Sequence, residues 1–168
     1  MQALVVYESL WGNTEAVARA ISHRFSSTMA VELVVSDAAP PDFTDVDLLV
    51  VGGPTHAFSM TRATTRQDAV ANQGAPRAPV RGIREWLADL DRPATPTRAA
   101  TFDTRTDKPR LPGSAARAAA KRLSRLGFDL IGEPMSFRVS GYGGPLLDGE
   151  LERAAAWATQ LTTELPPH

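Results

Sequence analysis

An unbroken apolar segment that runs directly into a hydroxyl- and glycine-containing turn constrains this chain more than any other feature. Residues 4–7 read LVVY, and the sequence SLWGNT follows at residues 9–14. Apolar residues then recur at helical spacing, at Ala16, Val17, Ala20, Ile21 and Phe25. The pattern predicts a buried strand, a tight turn and a helix, in that order.

The turn at residues 9–14 has two interpretations from the sequence alone. As a phosphate cradle, it would use hydroxyl groups, the bare backbone of Gly12 and the unpaired first N–H groups of the helix, whose positive dipole end favours an anion. As a plain strand-to-helix turn, it would need only Ser9, Asn13 or Thr14 to cap the helix. The side chain of Trp11 is expected to pack over the first helix.

Composition restricts the class of protein. The 168 residues match one domain spanning 1–168, with 43% hydrophobic and 22% charged residues. The absence of cysteine excludes disulfides, thiolate metal ligands, cysteine nucleophiles and flavin attached through sulfur. A net charge of −1 with scattered arginines argues against nucleic acid as a ligand. Without a membrane-length apolar run or a signal-like start, we expect a cytoplasmic protein.

Strands and helices alternate along the whole sequence. Strands are predicted within residues 4–7, 31–35, 47–53, 99–102 and 128–139, and helices within 14–25, 80–90, 114–126 and 150–165. Strict alternation of this kind predicts an α/β three-layer sandwich with a five-stranded parallel sheet. In such a sheet the ligand binds beyond the carboxyl ends of the strands, so loops 9–14, 54–62 and 103–109 are expected to converge.

Two of these loops carry a family resemblance. SLWGNT at residues 9–14, spaced against GGPTH at residues 52–56, resembles the flavodoxin family, whose members bind FMN. The resemblance covers nearly the whole chain and is nearest to the short-chain form. It implies the strand order 2-1-3-4-5 and electron transfer through a noncovalently bound flavin.

The resemblance implies an FMN site formed by Ser9, Leu10, Trp11, Gly12, Asn13, Thr14, Pro54, Thr55, His56, Ala57, Phe58, Asp103, Thr104 and Arg105. In the first loop, N–H groups and hydroxyls would bind the phosphate, and Leu10 and Trp11 would contribute backbone only. In the second loop, Thr55 could bond the ribityl chain and His56 or Phe58 could stack on the ring.

Two positions depart from the family pattern. The third loop, residues 103–108, has no aromatic residue, although flavodoxins usually place one there against the ring. Tyr142 or the planar guanidinium of Arg105 could replace it, although the glycine-rich loop at residues 141–144 favours a solvent-exposed turn position for Tyr142. Ala57 stands where many flavodoxins keep a glycine, and a peptide flip there would be less favourable because alanine at positive φ costs about 1 kcal/mol.

Residues 61–79 form an unusually long connection, which predicts a short polar helix and a loose return. One interpretation is a mobile surface excursion or a dimer contact. The other is a lid on which Arg62 and Arg66 receive an anionic substrate or a partner's carboxylate.

Other chemistries find little support in the sequence. The three histidines are far apart and have no carboxylates at ligand spacing, which argues against a metal site. Ser9, His56 and Asp103 lack the Gly-x-Ser-x-Gly elbow of a hydrolase.

Three hypotheses therefore remain. The favoured one is an FMN electron carrier that works with a redox partner protein or a small-molecule electron acceptor. The second is an FMN-dependent oxidoreductase of quinone or protoporphyrinogen type. The third is a flavodoxin-like domain that has lost the cofactor and serves as an interaction module.

Overall fold

The computed structural model describes residues 1–167. Its elements, in chain order, are β1 (Gln2–Tyr7), α1 (Asn13–Phe25), β2 (Ala30–Val35), β3 (Leu48–Pro54), α2 (Ala63–Asn72), α3 (Ile83–Asp89), β4 (Arg98–Thr106), α4 (Ala115–Leu126), β5 (Asp129–Leu130), β6 (Met135–Val139) and α5 (Glu150–Thr163).

All strand pairs of the sheet are parallel, in the order β2-β1-β3-β4-β5, which confirms the predicted α/β fold and strand order. The predicted fifth strand is divided into two short pieces. β5 pairs with the start of β4 and β6 pairs with its end, with Phe102 opposite Met135. Pro134 separates the pieces, because proline has no N–H to donate to a ladder.

Helices cover both faces of the sheet, and strand alternation assigns each side chain to one face. In β1, Ala3 and Val5 pack towards α1 and α5, whereas Leu4 and Val6 pack towards α3 and α4. All seven residues of β3 are buried, as expected for a central strand of a parallel sheet. The two cores hold the carboxyl ends of β1, β3 and β4 level at one edge.

The connection from β3 to α3 differs in detail from the prediction. α2 is the short helix expected within residues 61–79, whereas α3 begins at Ile83, three residues later than predicted. The N–H groups of Val80 and Arg81 instead donate to the Asp37 carboxylate, at 3.3 and 2.6 Å. This contact ties the return segment to the end of β2. Among residues 1–167, no helix has the length and apolar character needed to cross a membrane.

Candidate functional site

Three loops meet at the carboxyl edge of the sheet. Thr14 at the start of α1 and Thr104 near the end of β4 share a buried hydroxyl hydrogen bond of 2.7 Å. Thr55, just after β3, donates its backbone N–H to the Thr104 carbonyl at 2.9 Å. The structure therefore brings together residues from the three loops in which the sequence placed the candidate site.

The first loop ends in a helix start shaped by Gly12. Gly12 precedes α1 with φ 95°, a left-handed conformation that glycine adopts readily, and no atom lies within 4 Å of where a Cβ would sit. The N–H groups of Asn13 and Thr14 have no carbonyl partner in the described chain. This end of a 13-residue helix therefore presents unpaired donors next to an open backbone.

Ser9 caps the same loop. Its Oγ accepts hydrogen bonds from the N–H groups of Gly12 and Glu15, at 3.1 and 3.3 Å. The Asn13 side chain instead donates to the Gly143 carbonyl at 3.0 Å. Of the three capping candidates in the sequence, only Ser9 caps this turn.

Replacing Ser9 with alanine is expected to lower the free energy of unfolding by about 1 kcal/mol, because two N–H groups lose their acceptor. Urea unfolding of the protein without added ligand measures this. Ser27→Ala is the control, since that hydroxyl donates to the Arg24 carbonyl on the exposed end of α1. Equal stability of the Ser9 variant and the wild type would contradict the capping role.

Leu10 and Trp11 attach the first loop to α2. Leu10 is 2% exposed and packs against Ala69 and Ala75, so its side chain is a structural anchor. Trp11 Nε1 donates to the Gln73 carbonyl at 3.2 Å. Trp11 thus packs on α2 and the segment after it, and not over the first helix as the sequence suggested, because α2 offers apolar surface and the Gln73 carbonyl directly after it accepts the indole N–H.

The ring of Trp11 also borders the site. It stacks on Tyr142 with 6.3 Å between ring centroids and an angle of 27°. The stacked pair connects the first loop to the loop between β6 and α5.

The second loop makes a tight turn after Pro54 and Thr55. His56 and Ser59 pair across the turn, while Ala57 and Phe58 adopt φ values of 49° and 71°. Ala57 therefore already occupies the left-handed region that is unfavourable for alanine. Phe58 is 57% exposed and lies beside the cleft that the site encloses.

Asp103 lies behind the site. It is fully buried, and its Oδ2 accepts from the hydroxyls of Thr55 and Ser114 at 3.0 and 2.5 Å and from the Ala116 N–H at 3.1 Å. The carboxylate thus fixes Thr55 and the start of α4. The Thr55 hydroxyl donates a hydrogen bond to Asp103 and accepts one from the Ala115 N–H, so it can only accept a further hydrogen bond from a ligand.

A cleft of about 260 Å³ lies between the second and third loops. Its walls include His56, Ala57 and Phe58 on one side, Arg105, Leu111 and Pro112 on the other, and Tyr142 at one end. A narrower hollow of about 20 Å³ continues from it towards Asn13 and Thr14.

Gly113 holds the two walls of the cleft close together. A Cβ added at Gly113, which has φ 87°, would lie 1.9 Å from the Phe58 carbonyl oxygen. Only glycine allows the segment between the third loop and α4 to pass the second loop at this distance.

A buried polar network that was not predicted from the sequence lies on the α3 side of the loops. Glu8, which is fully buried, accepts hydrogen bonds from the Thr61 hydroxyl and from the Ile83 N–H at 2.9 Å. Arg66 is 2% exposed and donates to Thr61, to Glu85 and to the Val80 carbonyl. The network anchors residues 61–85 next to the first loop, so Arg66 is not free to receive a substrate.

The signal for this network in the sequence is an acidic residue directly after a fully apolar strand. Such a residue is buried only when a partner is supplied from elsewhere. The unusually long connection at residues 61–79 supplies these partners, Thr61 and Arg66.

Burial raises the pKa of the Glu8 carboxyl above its ordinary value of 4.5, although the hydrogen bonds from Thr61 and Ile83 and the charge of Arg66 oppose this effect. The folded protein therefore holds this proton more tightly than the unfolded chain. The resulting stabilisation is complete below about pH 4.5 and is lost as the pH rises through the folded value.

Glu8→Gln, which keeps the shape without the titration, is expected to gain stability relative to wild type as the pH rises from about 4.5 to 8. The gain should reach up to about 1.4 kcal/mol for each pH unit that separates the unfolded and folded pKa values of Glu8. Urea unfolding across this range measures the difference. Parallel stability curves for the two proteins would contradict the raised pKa.

Within residues 1–167, no group of three or more histidine, aspartate and glutamate side chains is arranged so that it could hold a metal ion.

No protein-family model and no curated protein matches the sequence. Solved structures do match. Flavodoxin 1 from Bacillus cereus aligns with a TM-score of 0.71 at 16% identity over 99% of this chain and 100% of the other. A flavodoxin from the domain Archaea gives 0.66 at 17% identity over 98% of both chains. A Fusobacterium nucleatum flavodoxin variant bound to flavin mononucleotide gives 0.62 at 14% identity over 98% and 97%.

At these identities the similarity shows the fold. The chain has the flavodoxin-like architecture that its sequence predicted, over nearly its whole length.

Proposed function

We propose that this flavodoxin-like protein binds FMN noncovalently and transfers electrons through it. The observation that carries the proposal is the start of α1: unpaired N–H groups beside the bare backbone of Gly12 lie at the inner end of a cleft between two further loops. One ligand that carries both a phosphate and a flat ring would fill both places, with the phosphate at the helix start and the ring in the cleft.

The residues present fit this group. The N–H groups of Asn13 and Thr14 would hold the phosphate, and Ser9 could turn its hydroxyl from accepting to donating, since a hydroxyl does both. The N–H groups of Gly12 and Glu15, which Ser9 caps, would then donate to phosphate oxygens instead. The apolar side chains of Ala57 and Leu111 on the cleft walls would contact the ring. When bound, FMN supplies the reversible uptake of electrons that protein side chains lack.

Tyr142 is the side chain that best replaces the missing aromatic residue of the third loop. It borders both the cleft and the narrow hollow, and it is held by its stack on Trp11. The Arg105 guanidinium, in contrast, donates to the Leu111 carbonyl at 2.7 Å and braces its own loop. We therefore assign the ring contact to Tyr142.

Two roles are compatible with such a site. Exposed Phe58 and Leu111 at the cleft would let a redox partner approach the ring, which favours an electron carrier. The second role, an FMN-dependent oxidoreductase of quinone type, is favoured by His56, a nearly buried imidazole on the cleft wall that could exchange a proton with a substrate.

The test is a titration of the purified protein, stripped of any bound flavin, with FMN and with riboflavin. We expect one FMN per chain, with a change in flavin fluorescence, and weaker binding of riboflavin, which has no phosphate. Unchanged FMN fluorescence together with no FMN retained on the protein in gel filtration would overturn the proposal and leave the domain without cofactor. Quinone-dependent NAD(P)H oxidation by the loaded protein would favour the enzyme over the carrier.

A further inference from the structure

The imidazole of His56 is held on three sides. His56 is 8% exposed, and its ring meets Trp11 edge-on, with 6.0 Å between centroids and an angle of 73°. It meets Tyr142 in the same way at 6.3 Å and 84°. The third contact is a hydrogen bond between Nε2 and the Gln73 Oε1 at 3.0 Å. This ring therefore has a fixed place between the cleft and the narrow hollow.

The hydrogen bonds of α2 determine which nitrogen of His56 carries the proton. The Gln73 amide nitrogen donates to Asp68 Oδ2 at 2.8 Å, and Asn72 donates to the other oxygen of Asp68 at 2.6 Å. Because a carboxylate only accepts, the amide nitrogen of Gln73 must face Asp68 and its oxygen must face His56. An amide oxygen also only accepts, so Nε2 of His56 is the protonated nitrogen.

Nδ1 is then a bare acceptor when the imidazole is neutral. It is buried and has no hydrogen-bond partner among residues 1–167. Buried polar atoms are almost always paired, since leaving one unpaired is unfavourable. An unpaired acceptor on a ring that lines the cleft therefore indicates a donor carried by a ligand.

We infer that His56 is a specificity-determining residue whose Nδ1 accepts a hydrogen bond from an N–H or O–H group of the bound ligand. Asp68 and Gln73 are positioning residues that fix the Nε2–H form. The inference rests on the proposed function for the identity of the ligand: a flavin offers an imide N–H on the ring and hydroxyls on the ribityl chain. The helix in the long 61–79 connection thus acts on the site through His56.

The proton position can be tested without any cofactor. Protein carrying ¹⁵N-labelled histidine, studied by NMR under mildly alkaline conditions, should show His56 as the Nε2–H form, with its signal assigned from the His56→Asn variant. Gln73→Leu should shift that form towards a mixture, whereas Gln67→Leu, at an exposed position of the same helix, should not. An Nδ1–H form in the wild type would overturn the inference.

The role of Nδ1 can be tested with three ligands: FMN, 3-methyl-FMN, which has no imide N–H, and a flavin with a hydroxyl-free alkyl phosphate chain. His56→Phe should weaken FMN about tenfold, the usual range for one lost hydrogen bond. If the imide is the donor, wild type and His56→Phe should bind 3-methyl-FMN equally well. If the ribityl chain is the donor, they should instead bind the hydroxyl-free flavin equally well.

Two controls separate the acceptor from the fold. His56→Asn places a side-chain oxygen near the former Nδ1 and should retain FMN affinity within about threefold of wild type. His23→Phe, on the exposed face of α1, should change nothing. Equal affinities of the Asn and Phe variants, or an equal loss with all three flavins, would overturn the inference.

Failure of the two proposals can be told apart. A wild-type protein that binds none of the three flavins overturns the proposed function and the flavin donor with it. The NMR result still decides whether Asp68 and Gln73 fix the imidazole as described.

Discussion

Gly12→Asp is expected to weaken FMN binding by more than about a hundredfold while changing riboflavin binding little. Gly12 lies at the start of α1, and the open space around its Cα can hold the new side chain. The added carboxylate would face the phosphate across a few ångströms, where two like charges repel by several kcal/mol at the effective dielectric of a protein surface. A loss of about 3 kcal/mol corresponds to more than a hundredfold in Kd.

Gly149→Asp is the matched control for this substitution. Gly149 precedes α5 as Gly12 precedes α1, its φ of 84° is similar to 95°, and it too has no atom within 4 Å of a Cβ. Backbone strain and the change in net charge are therefore nearly equal in the two variants, and only Gly12 directly precedes the N–H groups of Asn13 and Thr14 that would hold the phosphate. Fluorescence titrations of both variants with both flavins give the comparison. Similar effects of the two aspartates, or an equal loss for riboflavin, would rule out a phosphate at the start of α1.

Arg66→Met is expected to lower the free energy of unfolding by about 3 kcal/mol, a large fraction of the 5–15 kcal/mol typical of a domain. The arginine side chain is 3% exposed and forms an ion pair of 2.8 Å with Glu85. Methionine would fill the space but remove the hydrogen bonds that Arg66 donates to Glu85, Thr61 and the Val80 carbonyl. The value is at the lower end for buried pairs because the Glu85 side chain is 36% exposed.

Arg62→Met, at an exposed position next to the start of α2, controls for the lost charge and should stay within about 0.5 kcal/mol of wild type. Adding Glu85→Gln to Arg66→Met should recover part of the loss, since it removes the carboxylate that lost its partner. Urea unfolding of the wild type, Arg66→Met, Glu85→Gln and the double variant measures the cycle, with Arg62→Met as a fifth protein. An Arg66 variant as stable as the Arg62 variant would contradict a structural role for the buried network.

The sheet could be predicted from the sequence because its strands are short apolar runs separated by helical repeats. Val50 and Val51 in β3 have no polar neighbour to suggest an exposed face, so a central position follows directly. The same logic placed residues 14, 55 and 104 at one edge, since parallel strands end together. The division of the fifth strand was not predicted, because apolar residues on both sides of Pro134 continue the pattern of one strand.

The site could be predicted as a set of loops but not as a set of contacts. Glu8 reads as the first polar residue after a strand, and nothing local indicates that Thr61, 53 residues away, will cover it. Asp68 and Gln73 read as ordinary surface positions in and directly after a polar helix, yet Gln73 contacts His56 and Asp68 contacts Gln73. Capping of the helix and binding of a phosphate would both use a serine at position 9, so the sequence is consistent with both roles.

The different surroundings of the three tryptophans give the protein its own optical probe. Trp86 and Trp157 are 0% and 3% exposed, in the cores on opposite faces of the sheet, whereas Trp11 is partly exposed at the narrow end of the cleft. When a colourless ligand binds in the cleft, quenching of indole emission by contact should therefore come mainly from Trp11. A Trp11→Phe variant should keep its emission when the same ligand is added. Even colourless compounds could then be screened against this cleft by intrinsic emission, without a label.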